Sequence, residues 1–484
     1  AYNTMKKIQY ILAAVLLVSG ASSCESFLDE QPVSEIPADQ MWTSSRDAKA
    51  GVSQMYNYFR SAMRENYFYW GEFRSDDFDP GASTAATQQR VIDNQLTTDL
   101  NCAKWTGLYK VINQANLCIK YLPGVDMPSV SDRNDLLGQA YGMRALAYLY
   151  AVRVWGDVPL FTEPNEEYSP DIYRERTDKE YILREVILED AKKAESLLDR
   201  TKNKERKRIS PYGAWAIMAD TYMWLKEYSL ADQTIEKMKN NTTFMAFEPS
   251  IDTWKKMFAE ELNNKASDNT PENDEYSTKE FIFVVHFNMD EVGTNGYSYM
   301  YQWFTGSGNR AAVVSEVLRN KYDQEKDLRF PIVTKNYQSG WELRKYIAGD
   351  ISSTLNKTCE VAYPIYRYSD MLLLQAEAQA RQSKWEEALD LVKPIRTRAG
   401  LETPSAADFA DEESLVDFIL DERQRELVGE GRRWFDLVRT GRWKSVMGPI
   451  NGCKDDGNEL FPIHFSHLDQ NKKLVQNSYY ATSK

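Results

Sequence analysis

The chain has 484 residues, 42% hydrophobic and 27% charged, enough apolar material for one large core or two or three ordinary ones. A formal charge of −13 excludes nucleic acid as the main partner, because a phosphate backbone repels such a surface. Three histidines and five cysteines leave little for a His-rich metal site, whereas 12 tryptophans and 29 tyrosines make an aromatic-rich chain.

At the N-terminus, Lys6 and Lys7 precede an apolar run from Ile8 to Val18. Such a run is a secretory signal, since a spanning helix needs about 20 apolar residues. Residues 1–23 read as this signal, with Met5 as the natural start and Ala1 to Thr4 as an upstream extension. Ala21-Ser22-Ser23-Cys24 resembles a bacterial lipobox, in which the chain is cut before the cysteine and Cys24 is acylated. Cleavage there removes two lysines, so the mature charge becomes −13 − 2 = −15. A chain this acidic gains nothing from anionic headgroups, and its anchor must be the acyl chains. The other cysteines, Cys102, Cys118, Cys359 and Cys453, fit no zinc spacing and read as structural. Cys102 and Cys118 fall on one predicted helix, roughly 24 Å apart at about 1.5 Å per residue, too far to bridge.

Beyond the signal the chain is mostly α. Apolar residues recur at three- and four-residue spacing through 48–63, 105–122, 136–154, 181–198, 212–225, 230–238, 371–380, 385–395, 415–428 and 434–438. Ser210-Pro211 supplies an N-cap and a first-turn proline, and Trp155-Gly156 with Pro159 ends a helix. Strand signals are few: Phe281–Val285 and Val158–Phe161. Between the helical blocks, 66–101, 261–279 and 288–309 read as long irregular segments, and such loops commonly bind something.

Two helix pairs repeat one pattern. Trp215, Ala219 and Tyr222 precede Tyr228 and Ala231; Leu372 and Ala376 precede Trp385 and Ala388. In both, alanines stand twelve apart and an aromatic sits three before the second one. Small residues let antiparallel helices cross closely, and this is the tetratricopeptide-type pattern. In the run DERQRELVGEGRRWFDLVR, Asp421–Arg439, Glu422, Arg425 and Glu426 lie at i, i+3 and i+4 and read as a surface ladder.

Five passages together resemble the SusD/RagB family of outer-membrane nutrient-binding lipoproteins. They are Cys24–Asp29 with Pro32, Tyr148–Leu160 (YLYAVRVWGDVPL), Tyr366–Ala378 (YRYSDMLLLQAEA), Asp421–Arg439, and Leu460–Tyr480 with its QNSYY run. The resemblance covers the chain from Cys24 onward and implies one large α-helical domain, 24–484, whose tetratricopeptide-like pairs carry long ligand-binding loops. Within it, 24–240 is an N-terminal helical part and 241–484 a loop-rich part followed by C-terminal helices. The implied function is non-enzymatic: a cell-surface lipoprotein captures nutrient, most often a glycan, and delivers it to a SusC-like TonB-dependent outer-membrane transporter. Members with the same architecture that take peptides or other nutrients form the alternative.

Sugars offer apolar C–H faces ringed by hydroxyls, so their sites combine aromatic planes with Asp, Asn, Gln and Arg. Two segments have that mixture: Tyr67, Tyr69 and Trp70 with Arg74, Asp76 and Asp77, and Tyr297, Tyr299, Tyr301 and Trp303 with Asn309 and Arg310. Alanine at Trp70 or Trp303 is expected to weaken ligand binding without lowering the melting temperature. The period-two spacing of Tyr297 to Trp303 also reads as a packed strand face, and Arg74 with Asp76 as a surface ion pair. The competing readings are a glycoside hydrolase using Asp76-Asp77 or Glu260-Glu261, and a pure protein-interaction scaffold. No cofactor is implied, although the Asp-rich loop Asp76–Asp79 would suit calcium without any EF-hand spacing.

Overall fold

The structure, a computed structural model, describes residues 42–166, 170–202, 206–239, 245–261, 278–287, 298–305, 310–337, 340–347 and 361–481. Cys24, Tyr297, Asn309 and Cys359 lie outside the described residues.

Helix α1 (Ser45–Gly71) opens on a capping box in which Ser44 and Asp47 bond each other's backbone N–H. Met55, Phe59, Met63 and Tyr67 follow at helical spacing and face the core. The composition of 66–101 suggests irregular chain, yet α1 runs through Tyr67–Trp70, and strand β1 (Phe78–Pro80) and helix α2 (Ala86–Ile92) follow. Four consecutive buried aromatics have no amphipathic period, so tertiary packing holds this last turn helical. Next come α3 (Thr106–Tyr121) and α4 (Val130–Trp155), which Gly156 ends at φ +74° before strand β2 (Val158–Pro159) pairs antiparallel with β3 (Arg176–Thr177). Cys102 and Cys118 do not share a helix: a separate 3-10 turn, Asn101–Ala103, holds the first, and both thiols are buried.

A π-helical stretch, Ile182–Ile187, leads into α5 (Leu188–Leu197), and α6 (Pro211–Trp224) and α7 (Tyr228–Lys239) form the first helical hairpin. Proline stands at the first turn of α6 as expected, but the Ser210 hydroxyl makes no capping bond. Successive helices pack on one another from α3 to α7.

Strand β4 (Phe281–Val285) is followed by a one-turn helix, α8 (Met300–Phe304), and then by β5 (Ala312–Val314), which pairs with β1. A hairpin of β6 (Thr334–Tyr337) and β7 (Gly340–Leu343) comes next, and β8 (Tyr363–Arg367) pairs antiparallel with β4.

The second helical hairpin is α9 (Tyr368–Ala380) and α10 (Trp385–Arg398), with α9 packed on α7. Ala219, Ala231, Ala376 and Ala388 are all buried, as close helix crossing requires. The hairpin turns also match: Lys226 (φ +59°) and Ser383 (φ +60°) occupy the left-handed region, each two residues before the aromatic that opens the second helix. After it come α11 (Glu412–Leu427), α12 (Arg433–Arg439) and α13 (Trp443–Asn451), then two short helices, α14 (Phe465–Gln470) and α15 (Ser478–Ala481).

The ladder at Glu422, Arg425 and Glu426 is not on the surface; Glu422 and Glu426 are fully buried. Glu426 accepts hydrogen bonds from Arg329 (3.0 Å), Arg367 (2.8 Å) and Arg398, while Glu422 pairs with Arg329, Arg396 and Arg425. Arg367 also bonds Glu280 and Glu430, each at 2.7 Å. Helical spacing shows only which residues share a face; here distant arginines, not water, meet that face.

Candidate functional site

The two aromatic runs singled out in the sequence come together at the C-terminal end of α1. Phe68 and Tyr69 of α1 and Phe73 of the turn after it pack around Trp303 of α8, with ring centroids 5.4–5.6 Å apart. The backbone then ties α8 to the ladder of β1 and β5: the Ala311 amide donates to the Trp303 carbonyl (2.8 Å) and the Gly81 amide to the Ala311 carbonyl (3.0 Å). Arg310 extends the site by donating to the Tyr337 carbonyl at the tip of the β6–β7 hairpin (3.2 Å).

Not all the candidate side chains reach the surface. Tyr67 is buried, stacks on Tyr363 at 4.7 Å and donates to the Pro364 carbonyl at 2.6 Å. Trp70 is buried and donates to the Cys102 carbonyl at 2.9 Å. Arg74 and Asp76 are not paired with each other. Arg74 lies over Trp434 (4.1 Å) and donates to Asn94 and the Glu459 carbonyl, while Asp76 accepts two hydrogen bonds from Arg433 (2.7 and 2.9 Å). These four are core residues and present no face to a ligand. The reason is the tight seat of the helix end: a Cβ on Gly71 would stand 2.3 Å from the Gly431 carbonyl oxygen, so this end of α1 lies directly against the 429–431 loop. The same packing occupies the acidic loop, because Asp76 is held by Arg433 and Asp77 accepts from Gln424 at 2.8 Å. Among the described residues no group of three His, Cys, Asp or Glu could hold a metal ion. The side chains of Glu260 and Glu261 lie outside the described ones.

The second run is also corrected in form. Its described part is helical rather than extended: the Trp303 amide donates to the Tyr299 carbonyl at 3.0 Å. Four-residue spacing therefore stacks Tyr299 on Trp303, with centroids 4.6 Å apart and planes inclined by 23°. Tyr301 and Trp303 are each 7% exposed, so Tyr299 is the half-buried, accessible member of the run. Alanine at Trp70 or Trp303 should therefore destabilise the fold by about 3–5 kcal/mol, contrary to the expectation of an unchanged melting temperature.

Arg64 and Gln302 stand beside Tyr299, and Tyr337 and Trp341 lie on the β6–β7 hairpin that Arg310 reaches; composition singled out none of them. Arg64 of α1 lies 5.0 Å from the Tyr299 ring centroid, and Gln302 is half-buried one turn along. Tyr337 is 38% exposed on the hairpin, and Trp341 is half-buried between Phe330 and Arg319. Arg64 sits in a helix of ordinary periodicity and Trp341 in a short strand, so no local pattern sets them apart. The assembled edge offers a stacked aromatic platform, a guanidinium over it and amide groups beside it, which suits a polyhydroxylated ligand with apolar faces. His286, which follows β4, is unsuited to act as a base at neutral pH. Burial and then the charges of Lys207 and Arg60 hold its imidazole down at about 3, and among the described residues neither ring nitrogen has a hydrogen-bond partner.

Residues 184–480 match the SusD family, and residues 26–223 match a family described as starch-binding, associating with outer membrane. A SusD-like protein of Formosa agariphila is 31% identical over 522 residues, covering 98% of this chain and 100% of the relative. A SusD superfamily protein from Bacteroides thetaiotaomicron superposes with a TM-score of 0.75 at 22% identity, over 91% of this chain and 100% of that one. A laminarin-binding SusD-like protein superposes with a TM-score of 0.74 at 20% identity, over 91% and 100%. The helical pairs, the family match over more than half of the chain and a full-length relative agree: this chain belongs to the SusD/RagB family.

Proposed function

We propose that this chain is a non-catalytic, lipid-anchored protein of the outer-membrane surface that captures an oligosaccharide and delivers it to a TonB-dependent transporter. The observation that carries this reading is the half-buried Tyr299 ring, stacked on Trp303 and faced by Arg64. Aromatic stacking and planar donors recognise a sugar's apolar face and hydroxyls without any need for a nucleophile or acid. The starch-binding description of one matching family and the laminarin-binding neighbour support glycan as the ligand class. No described helix is long and apolar enough to cross a membrane, which is compatible with attachment through acylated Cys24.

The test uses the mature chain without its signal and Cys24 on a broad glycan array, with peptides as the counter-set. Glycan binding without turnover is expected, and Tyr299→Ala should weaken it about tenfold, the usual loss for an anchoring aromatic, at little cost to the melting temperature. Binding of peptides alone, hydrolysis of a bound glycan, or unchanged affinity in Tyr299→Ala would overturn the assignment. In cells, Cys24→Ser should move the chain from the membrane to the soluble fraction.

A further inference from the structure

Beside the Tyr299 ring, α1 presents a basic strip. Tyr56, Arg60 and Arg64 recur at four-residue spacing, so they share one helix face over about 12 Å. All three are half-buried, as are Lys207 and Arg208 in the segment before α6. That segment runs next to β4, where the Val284 amide donates to the Arg206 carbonyl (2.9 Å). Arg208 lies over the Tyr56 ring, 5.1 Å from its centroid, and the charges of Lys207 and Arg60 both act on the His286 imidazole just after β4.

Strip and ring form one continuous surface. The Tyr363 hydroxyl donates to the Arg64 carbonyl (3.1 Å) and accepts from the Tyr299 amide (2.8 Å). The Tyr363 ring lies 4.6 Å from that of Phe287, the residue after His286. One buried tyrosine thus fixes Tyr299, Arg64 and the end of β4 against one another.

The strip gathers the cations Arg60, Arg64, Lys207 and Arg208. Arg60 donates to Asn57 (2.7 Å), and Arg208 donates to Ser53 (2.9 Å) and Gln139 (3.4 Å), all of them neutral side chains. A guanidinium carries five donors in a planar fork, so it can hold such a partner and an oxyanion together. The carboxylates at its margins face elsewhere. Asp135, beyond Gln139, is buried and accepts from Gln139 (2.8 Å) and the Asp199 amide (3.1 Å). Glu65 lies on another face of α1, close to Tyr69 and Cys102. On a chain of net charge −13, a row of cations beside a sugar-stacking ring focuses a positive field on that edge.

We infer that the edge takes an acidic oligosaccharide, whose sugar face stacks on Tyr299 while its carboxylate or sulfate groups lie along Arg64, Arg60, Lys207 and Arg208. This rests on the capture reading of the Tyr299 edge and sharpens its ligand class. A row of cations about two helical turns long suits charges repeated along a chain better than one isolated anion.

Titration calorimetry of the mature chain with matched tetrasaccharides tests it. The acidic probes are tetragalacturonate, tetraguluronate and a carrageenan tetrasaccharide; the neutral ones are maltotetraose, laminaritetraose and xylotetraose; tetraglutamate is the peptide of like charge. At least one acidic sugar should bind about tenfold more tightly than any neutral one, and its identity separates carboxylate from sulfate recognition. Raising salt from about 0.1 to about 1 M shortens the screening length from about 10 to about 3 Å and should weaken that sugar about tenfold. The double variant Arg60→Gln/Lys207→Gln should weaken it by a similar factor at the lower salt. A neutral sugar binding as tightly as the acidic ones, an affinity indifferent to salt, or an unchanged affinity in the double variant would overturn the inference. If that neutral binding is lost in Tyr299→Ala, the capture reading survives alone. Tetraglutamate binding as tightly as the sugars would overturn the inference in favour of an acidic protein partner. Absence of sugar binding at about 1 mM would overturn it too, and with a blank glycan array the capture reading as well.

Discussion

Glu422, Glu426 and Asp436 on α11 and α12, and Glu72 and Asp77 between α1 and β1, are all buried, yet their carboxyls shift in opposite directions. Burial raises every one of them. In the first group cations outweigh it: Arg329, Arg425 and Arg396 bring Glu422 down to about 2, and Arg398, Arg367 and Arg329 hold Glu426 well below the carboxylate range. In the second group burial wins. It raises Glu72 well above its usual value, helped by Asp77, and lifts Asp77 to about 7, helped by the charge of Asp76. Glu72 accepts the backbone amides of Gly431 and Arg432, and its protonated carboxyl shares a hydrogen bond with that of Asp77. The same side chain in the same degree of burial is thus kept ionised by arginines in one place and kept protonated in the other.

The largest way to break this comparison is to remove one partner from the arginine-rich core. Arg367→Met leaves Glu426 and Glu430 short of a cation and should cost about 3–5 kcal/mol in denaturant unfolding. A loss below about 1 kcal/mol, the range of exposed pairs, would mean that the network carries little. Acid probes the same group without mutation. Its folded values lie below the unfolded ones, so its stabilisation is present above the ordinary Glu value of 4.5 and disappears as pH falls towards about 2. For Glu422 alone this is on the order of 3 kcal/mol, at about 1.4 kcal/mol per unit. The melting temperature should fall steeply over that window, and more gently in Glu422→Gln.

Asp77 has the opposite sign. Its raised value means that the folded state keeps a proton the unfolded chain releases, so its contribution declines as pH rises from 3.8 to about 7 and is flat above. Asp77→Asn should remove that decline and gain on the parent by no more than about 1.4 kcal/mol per pH unit across the window. A parallel pH profile for parent and variant would show that Asp77 ionises normally. The smallest effect comes from the hairpin turns, which are built without buried charge. Ser383→Gly relieves a left-handed non-glycine residue and should stabilise by about 0.5–1 kcal/mol, equally at acid and neutral pH.

Much of the scaffold could be read from the chain. The helical periods locate α3 to α7 and α9 to α12 closely, although α6 and α9 are buried on nearly every side rather than along one stripe, and the alanine spacing identifies both hairpins. Phe281–Val285 is the expected strand, residue for residue. The candidate site was less legible. Tyr67, Trp70, Arg74 and Asp76 have the right composition for a sugar site, but composition cannot distinguish an aromatic facing solvent from one facing Trp155 or Tyr363. Arg64 carries no local signal; it joins the edge only because the Tyr299 ring at the start of α8 packs against α1 there.

What the sequence by itself determined is the family and the helical scaffold, since these depend on local periods and short motifs. Tertiary structure alone decided which charges are buried and which aromatics remain accessible. Both depend on partners hundreds of residues away: Arg433 reaches Asp76, and Gly431 closes over the end of α1. Burial and electrostatic environment are properties of the assembled surroundings, and no window along the chain contains them.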